Sequence, residues 1–295
     1  MLAPRVVVVT RPTELESAMD RHGTAGQVRF FLEQRGQSLE ELQERQNSQD
    51  DAIRLVLGAV PAEWRRVRVH RAELPTFLFE PEDIVVPVGQ DGLVANVARY
   101  VDGQTVIGVN PDPGRYDGVL VRHSPAGIGE LLVAAADGSL PSEERTMVEA
   151  RVDDGQVVIA LNEIFVGHRS HQSARYVLSW NGASERQSSS GVIIATGTGA
   201  TGWARSIVAF RSADIELPAP RDPQLVFFAR EPFPSVTTGT ELAEGLVEKS
   251  DAVTLVCELS EGGVVFGDGI EADSINLAWG QRVVIERAER VLRLA

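Results

Sequence analysis

Three short polar segments of the sequence carry side chains whose types and spacing suit phosphate chemistry. The first is "PVGQDG", in which Asp91 follows Gly89 and Gln90 and precedes Gly92. Glycines let a phosphate approach the backbone, and the N–H groups at the start of a helix attract anions. A carboxylate there would repel phosphate unless it binds Mg²⁺ or takes a proton from a hydroxyl nucleophile. Asp91 therefore indicates phosphoryl transfer, the alternative being a residue that only caps a helix.

The second segment, "ALNEIFVGH", places Asn162 and Glu163 side by side in an otherwise apolar strand. An adjacent amide and carboxylate suit the hydroxyls of a ribose or the polar edge of a base. The alternative is a polar turn pair at the end of a strand.

The third segment, "SGVIIATGTGATGWARSI", contains the pattern G-x-G-x-x-G at Gly197, Gly199 and Gly202. In dehydrogenases that pattern occupies the first turn of a parallel βα unit, and a ribose-binding carboxylate follows the next strand. Here it follows two predicted β-hairpins, so we reject the dehydrogenase interpretation. The threonine hydroxyls and glycines still favour a ligand close to the backbone, although a flexible connector is the alternative.

The elements that must position these segments fall into two classes. In the first half, apolar strand patterns at 5–10, 65–71, 83–89 and 105–110 alternate with helical patterns at 25–36, 38–60 and 93–101. This order predicts a doubly wound α/β domain with its ligands beyond the carboxyl ends of the strands. In the second half, alternating strands joined by D-G and N-G turns predict a mostly antiparallel β domain. We place the domains at 1–122 and 123–280, and the pattern of 281–295 predicts a further strand.

Composition narrows the class of protein. The 295 residues carry a formal net charge of −14, which disfavours nucleic acid and anionic membranes as partners. The only cysteine, Cys257, rules out an internal disulfide and any multi-thiolate zinc site, and His168 and His171 look like loop residues rather than ligands. The N-terminal apolar run is too short for a signal peptide, so we expect a cytoplasmic protein. From the cysteine and histidine content we expect no structural metal.

Taken together and in this order, "PVGQDG", "ALNEIFVGH" and the 190–207 segment resemble the NAD kinase family. That family carries a G-G-D-G-T loop, an N-E pair and a T-G-S-T-A-Y-like loop, on an α/β domain followed by a β domain. The resemblance also implies that the terminal strand, 281–295, returns to the first domain. The local sequence is most similar to that of the mitochondrial-type NAD kinases of animals, in the segments "GVNPDPGRYDG", "ALNEIFVG" and "FAREPF".

The resemblance implies a Mg²⁺-dependent enzyme that phosphorylates the 2′-hydroxyl of the adenosine ribose of NAD with ATP. It implies that Asp91 orients or deprotonates this hydroxyl. Two further groups of residues acquire roles from the resemblance: the phosphate-binding residues are Gly89, Gln90 and Gly92, and the NAD-binding residues are Asn162, Glu163, Thr201, Gly202, Trp203 and Ser206. Trp203 would replace the family's tyrosine as a stacking surface for adenine.

Two residues depart from the family pattern. Gln90 replaces a glycine and Leu93 replaces a threonine, so a side chain enters the expected phosphate cradle and a hydroxyl is lost. These departures keep an alternative open, a catalytically weak or inactive NAD(P)-binding sensor on the same scaffold. A lipid or sugar kinase of related fold ranks lower. We expect a homodimer or homotetramer; the sequence leaves open whether ATP or polyphosphate is the donor and whether NADH is accepted.

Overall fold

The protein, seen in a computed structural model that describes residues 3–211 and 215–295, forms two compact units. Unit 1 comprises the described residues up to Glu143 together with Arg293–Ala295, and unit 2 comprises Glu144–Leu292. Unit 1 contains strands and helices in alternation: β1 (Arg5–Thr10), α1 (Glu14–His22), α2 (Ala25–Glu33), α3 (Leu39–Ala59), β2 (Arg65–His70), β3 (Asp83–Pro87), α4 (Asp91–Ala98), β4 (Thr105–Val106) and α5 (Ile128–Ala136), with short 3₁₀ turns at Arg71–Thr76 and Pro125–Gly127.

The sheet of unit 1 is parallel, in the order β2-β1-β3-β4, as the alternating pattern predicts. The valines of β1 are buried on both faces of the strand, which is typical of a parallel sheet covered by helices. On one face Val6, Val8 and Val86 share a core with α3 and α5. Helix α3 begins where its sequence predicts, because the hydroxyl of Ser38 accepts the N–H of Glu41 at 3.1 Å.

Two features of unit 1 differ from the sequence expectation. Residues 123–143, which we assigned to the second domain, lie in unit 1 because Ile128 and Leu132 of α5 are buried in its core. Helix α1, which the apolar spacing did not reveal, has a capping box in which Thr13 and Glu16 satisfy each other's backbone N–H groups.

Unit 2 is built of antiparallel strands, as predicted. Its elements are β5 (Glu143–Val152), β6 (Val157–Ala160), β7 (Glu163–His168), β8 (Ala174–Trp180), β9 (Ala183–Ser189), β10 (Val192–Ala195), α6 (Trp203–Arg211), β11 (Leu225–Ala229), β12 (Glu244–Val247), β13 (Ala252–Cys257), β14 (Gly263–Gly267), β15 (Ile275–Leu277) and β16 (Arg282–Leu294), with 3₁₀ turns at Gly199–Thr201 and Glu271–Asp273. The D-G turn joins β5 to β6, and the N-G turn joins β8 to β9 with Asn181 and Gly182 both at positive φ.

The core of unit 2 lies between two antiparallel layers. One layer has the order β12-β11-β10-β7-β14-β15, and the other includes β16, β13, β8 and β9. Side chains such as Ile194 and Phe227 from the first layer share one apolar cluster with Leu178, Leu255 and Ile285 from the second. This packing fixes β7, which begins at Glu163, and β10, which leads into the polar loop at 196–202.

The last residues of β16 belong to unit 1. Arg293 and Leu294 pair with Thr105 and Val106 of β4 in parallel register, while residues 282–286 pair with β13 in unit 2. The terminal strand therefore contributes only its final three residues to unit 1. Over the residues that the structure describes, no helix has the length and apolar character needed to cross a membrane.

Candidate functional site

Asp91 lies at the first position of α4, directly beyond the carboxyl end of β3. The helix is capped at Gln90 rather than at Asp91, so Asp91 is not the N-cap residue. The helix is held in place by its side chains from Leu93 to Ala98, all of which are buried. The N–H of Leu93 donates to the Gln90 carbonyl at 2.8 Å, whereas those of Asp91 and Gly92, at the very start of the helix, have no intrahelical acceptor and favour an anion there.

The carboxylate of Asp91 is held by a loop that follows β4. Its Oδ1 accepts the N–H groups of Leu120 and Val121 at 2.8 and 3.1 Å, and its Oδ2 accepts the N–H of Val119 at 3.0 Å. Because carboxylate oxygens can each accept about two hydrogen bonds, Oδ2 keeps acceptor capacity for a ligand. Asp91 is therefore an oriented carboxylate with one oxygen still able to accept a further hydrogen bond.

The loop around Asp91 depends on two glycines. A Cβ atom at Gly108 would lie 2.1 Å from the carbonyl oxygen of Leu120, and Gly118 has a φ of +66° with a Cβ position 2.6 Å from the carbonyl oxygen of Val121. The Asn110 side chain closes the turn by donating to the Tyr116 carbonyl at 2.9 Å. Any side chain at Gly108 would force the loop away from Asp91.

The predicted phosphate cradle, residues 89–92, does not depend on left-handed glycine conformations. Neither Gly89 nor Gly92 has a positive φ, and the N–H of Gly89 is bonded to the Val109 carbonyl at 3.0 Å. Gln90 has an extended backbone (φ −96°, ψ 167°) that any residue adopts, and its side chain accepts a hydrogen bond from Arg11 at 2.7 Å. The backbone at position 90 therefore does not require glycine.

In unit 2, Asn162 and Glu163 lie at a strand end, since β6 ends at Ala160 and β7 begins at Glu163. The turn after β14 meets them there: Asp268 accepts the N–H of Asn162 at 2.6 Å through Oδ1 and that of Leu161 at 3.1 Å through Oδ2. In return the N–H of Asp268 donates to the Glu163 carbonyl at 3.0 Å. The sequence pattern did not predict that Asp268 fixes this corner; the letters "FGDG" at 266–269 are the signal that it offered.

The side chain of Glu163 is largely withdrawn from water. Burial, and next the negative charge of Asp268, raise the pKa of the Glu163 carboxyl to about 7. Near neutral pH it is therefore present in both protonation states and can donate or accept a hydrogen bond. Such a group suits hydroxyl recognition.

The "TGTG" loop packs against the same corner. The Thr196 hydroxyl donates to the Leu161 carbonyl at 2.6 Å, and its N–H donates to the Asn162 carbonyl at 2.9 Å. A Cβ atom at Gly199 would lie 2.1 Å from the Asn162 carbonyl oxygen, and one at Gly197 would lie 1.9 Å from that of Ala219. The glycines are thus required for close approach of backbone to backbone, which the dinucleotide pattern did not predict.

Beyond this loop the predicted NAD-binding residues lie around the start of α6. Thr201, Gly202 and Ser206 are exposed, and Trp203 is half-buried. The Trp203 ring lies nearly parallel to that of Phe165, with centroids 6.2 Å apart, and the Arg230 guanidinium lies 4.8 Å from its centroid. Trp203 is thus part of an aromatic and cationic surface.

Unit 1 therefore contains Gly89, Gln90, Asp91 and Gly92, whereas unit 2 brings Asn162 and Glu163 next to the loop that leads to α6. A metal-binding cluster of three or more His, Cys, Asp or Glu side chains is absent from residues 3–211 and 215–295. Cys257 is buried in β13, and His168 ends β7 with its ring nitrogen bonded to Ser170. The Rossmann context is absent, since the glycine pattern follows β10 of an antiparallel sheet.

Comparison with known proteins agrees with this architecture. No family model matches the chain. The mitochondrial NAD kinase 2 of Rattus norvegicus is 27% identical over 77% of this chain and 73% of its own length, and that of Homo sapiens is 26% identical over 77% and 70%. Among solved structures, an NAD kinase from Archaeoglobus fulgidus in complex with ATP matches with a TM-score of 0.60 and 20% identity, covering 98% of this chain and 92% of that one. A yeast NADH kinase complexed with NADH matches with a TM-score of 0.61 and 14% identity, covering 99% and 83%.

The fold, an α/β unit followed by an antiparallel β unit with polar loops at their strand ends, is that of the NAD kinases. In sequence, too, the chain is similar to the NAD kinases, and the resemblance to the mitochondrial type that the motifs indicated is confirmed.

Proposed function

We propose that this protein is an ATP-dependent NAD kinase that makes NADP. In the reaction the 2′-oxygen of the adenosine ribose forms a bond to the γ-phosphorus of ATP. The bond from that phosphorus to the β,γ-bridging oxygen breaks, ADP leaves, and the hydroxyl proton is released. The protein must therefore bind a triphosphate, hold a dinucleotide and orient one ribose hydroxyl.

The observation that carries this proposal is the oriented carboxylate of Asp91 at the start of α4. Three backbone N–H groups fix its position, and Oδ2 retains capacity to accept the proton or hydrogen bond of a hydroxyl. The N–H groups of Asp91 and Gly92 at the start of α4 provide the anion-binding element that a transferring phosphoryl group needs. Gly92 leaves that turn uncovered, because nothing lies within 4 Å of a Cβ atom placed there.

The dinucleotide is assigned to the residues of unit 2. The Asn162 amide and the Glu163 carboxyl suit the ribose hydroxyls, since together they offer both donors and acceptors. The hydroxyls of Thr201 and Ser206 donate to backbone carbonyls and keep acceptor capacity. Together with the aromatic surface of Trp203 they suit the adenine end, with Gly202 leaving room for it. The dinucleotide is then the phosphate acceptor rather than a redox cofactor.

Mg²⁺ is proposed to arrive with ATP. Magnesium in kinases is held by one or two carboxylates together with the substrate phosphates, and the described residues offer no all-protein cage, so the phosphates of ATP would supply most of its ligands. When bound, the ion would neutralise charge on the phosphate oxygens. Oδ2 of Asp91 is then kept for the ribose hydroxyl.

The proposal is tested by incubating the purified protein with NAD, ATP and Mg²⁺ and measuring NADP with an NADP-specific dehydrogenase. The isosteric variant Asp91→Asn is expected to lower kcat by at least about a hundredfold while NAD binding changes little, because general-base and orienting groups contribute about that much. NAD binding without any NADP would instead support a sensor, and unchanged turnover in Asp91→Asn would remove Asp91 from the mechanism.

Assembly and location are further proposals. We propose a homodimer or homotetramer, which light scattering of the purified protein would test, with a monomeric mass as the contradicting result.

We also propose a cytoplasmic location, which suits a single unpaired buried thiol. Fluorescence microscopy of the tagged protein in its source cell would test the location, and a fluorescent organelle would contradict it.

A further inference from the structure

A small cleft in unit 1 lies beside Gln90, the position at which the sequence departs from the family's glycine. It has a volume of about 50 Å³ and is lined by residues that include Arg11, Arg45, Gln49, Gln90 and Tyr116. Arg11 follows β1, and Gln90 precedes α4, so the cleft lies beyond the carboxyl ends of two parallel strands. This is the edge of a doubly wound sheet at which ligands bind.

The charge of Arg11 is not balanced by a carboxylate. Its Nη2 donates to the neutral amide oxygen of Gln90 at 2.7 Å, and no described carboxylate forms an ion pair with it. The other charged side chains of the lining are paired, Arg45 with Glu14 and Asp112 with Arg115. Among the residues that line the cleft, Arg11 is therefore the charged one without an oppositely charged partner, in a protein whose formal net charge is −14. A cation retained under that global field is suited to an anionic ligand.

Gln90 holds Arg11 without neutralising it. The backbone of Gln90 is extended and unstrained, so the conformation at this position does not require glycine. An arginine side chain that is free in solution loses considerable rotamer entropy on binding, and a hydrogen bond made beforehand removes part of that loss. A glycine at this position would leave Arg11 without its neutral anchor.

On this basis we propose that Arg11 binds the terminal phosphates of the phosphoryl donor and that Gln90 is the residue that positions it. The proposal rests on the proposed kinase function and adds the residues that replace the missing glycine loop. A guanidinium matches phosphate oxygens in a bidentate manner, and its remaining N–H groups are available for this. Gln90 thus contributes to donor binding instead of obstructing it.

Steady-state kinetics and calorimetry with ATP and Mg²⁺ test the proposal. Arg11→Gln should raise the KM for ATP about tenfold or more, while the KM for NAD changes less than about twofold. Gln90→Gly, the family's residue, should raise the KM for ATP by about threefold or more because it frees Arg11. Gln90→Glu should act in the same direction, because the new carboxylate would neutralise Arg11. Arg54→Gln, an exposed arginine of α3 paired with Asp51, is the matched control and should have no effect.

Calorimetric titration of ATP with Mg²⁺ in the absence of NAD separates this proposal from the kinase function. If the protein makes no NADP but binds ATP, with weaker binding in Arg11→Gln and Gln90→Gly, the donor site stands and the kinase function fails. Equal ATP affinity in the unsubstituted protein, Arg11→Gln and Gln90→Gly would overturn the proposal, as would absence of ATP binding. If Arg11→Gln fails to fold, Gln90→Gly and Gln90→Glu decide.

Discussion

At the scale of the residue, the protonation of Glu163 is set by burial and by Asp268, which bonds to the backbone beside it. The pKa of Glu163 is about 7 in the folded chain and near 4.5 in an unfolded one. Between these values the folded chain binds more protons than the unfolded chain, so the free energy of unfolding falls as pH rises. Below this interval the loss vanishes, and above it the loss is complete.

We therefore expect Glu163 to lower the free energy of unfolding by on the order of 2 kcal/mol between about pH 5 and about pH 8. Glu163→Gln does not titrate and should lack this decrease, so the variant gains stability relative to the unsubstituted protein as pH rises. Urea denaturation at the two pH values measures it, with Glu286→Gln, an exposed residue of β16, as control. Parallel pH profiles for Glu163→Gln and the unsubstituted protein would contradict the assignment.

The sequence predicted polar side chains at this corner but not the contacts that hold them in place. Two adjacent polar residues in an apolar stretch predicted a cleft or a turn at Asn162 and Glu163, because a buried strand does not tolerate them. The partner that holds them, Asp268, is separated from Asn162 by 106 residues and sits in a turn at positive φ. Local pattern carries no information about a contact of that separation. Arg11 was missed for the same reason, since Gln90 lies 79 residues away.

At the scale of the element, the loop between β4 and the Asp91-binding residues depends on Gly108. The change Gly108→Ala places a Cβ 2.1 Å from the Leu120 carbonyl oxygen, so the loop must move and the three N–H groups must leave Asp91. We expect kcat for NADP formation to fall about tenfold or more and the free energy of unfolding to fall by about 1–3 kcal/mol. Steady-state kinetics and urea denaturation measure these effects.

A matched control exists in α3. Gly58 is exposed within that helix, and a Cβ there meets no atom within 4 Å. Gly58→Ala should leave kcat unchanged and raise the free energy of unfolding by about 0.5–1 kcal/mol, because alanine is the better helix former. If Gly108→Ala retains full kcat, the loop does not orient Asp91 for catalysis.

Elements with local signals were predicted well, and those fixed by distant contacts were not. The valine run of β1, the Ser38 cap of α3 and the N-G turn at Asn181 each carry their own physical cause in a few adjacent residues. The loop after β4 instead owes its course to Asp91, which lies 28–30 residues earlier in the chain. Its glycines and Asn110 are typical of a turn, but they do not indicate which side chain the turn encloses.

At the scale of the whole molecule, the end of the chain supports a unit formed mainly by its first half. Leu294 is 1% exposed and pairs with Val106, and the N–H of Ala295 donates to the Val106 carbonyl at 3.0 Å. Leu294→Ala removes buried apolar volume and should destabilise unit 1 by about 2–5 kcal/mol. Hydrogen exchange should then increase in β4 and β3, while exchange in β10 and β11 changes less.

The control for this prediction is Glu289→Ala, an exposed position on the same strand. It should change the free energy of unfolding by no more than about 0.5 kcal/mol. Unchanged exchange in β4 after Leu294→Ala would show that the terminal pairing contributes little to unit 1. The return of the chain could be expected only from the family resemblance, since the alternating pattern of 281–295 specifies a strand and not its neighbour.

Phosphorus NMR of one reaction mixture follows the transfer of the γ-phosphate of ATP to the 2′-hydroxyl of NAD. We expect a new 2′-phosphomonoester signal that grows in equal amount with ADP and is absent from the Asp91→Asn reaction. ADP that accumulates together with inorganic phosphate, without a phosphomonoester, would mean that water is the acceptor. That result would contradict the kinase assignment.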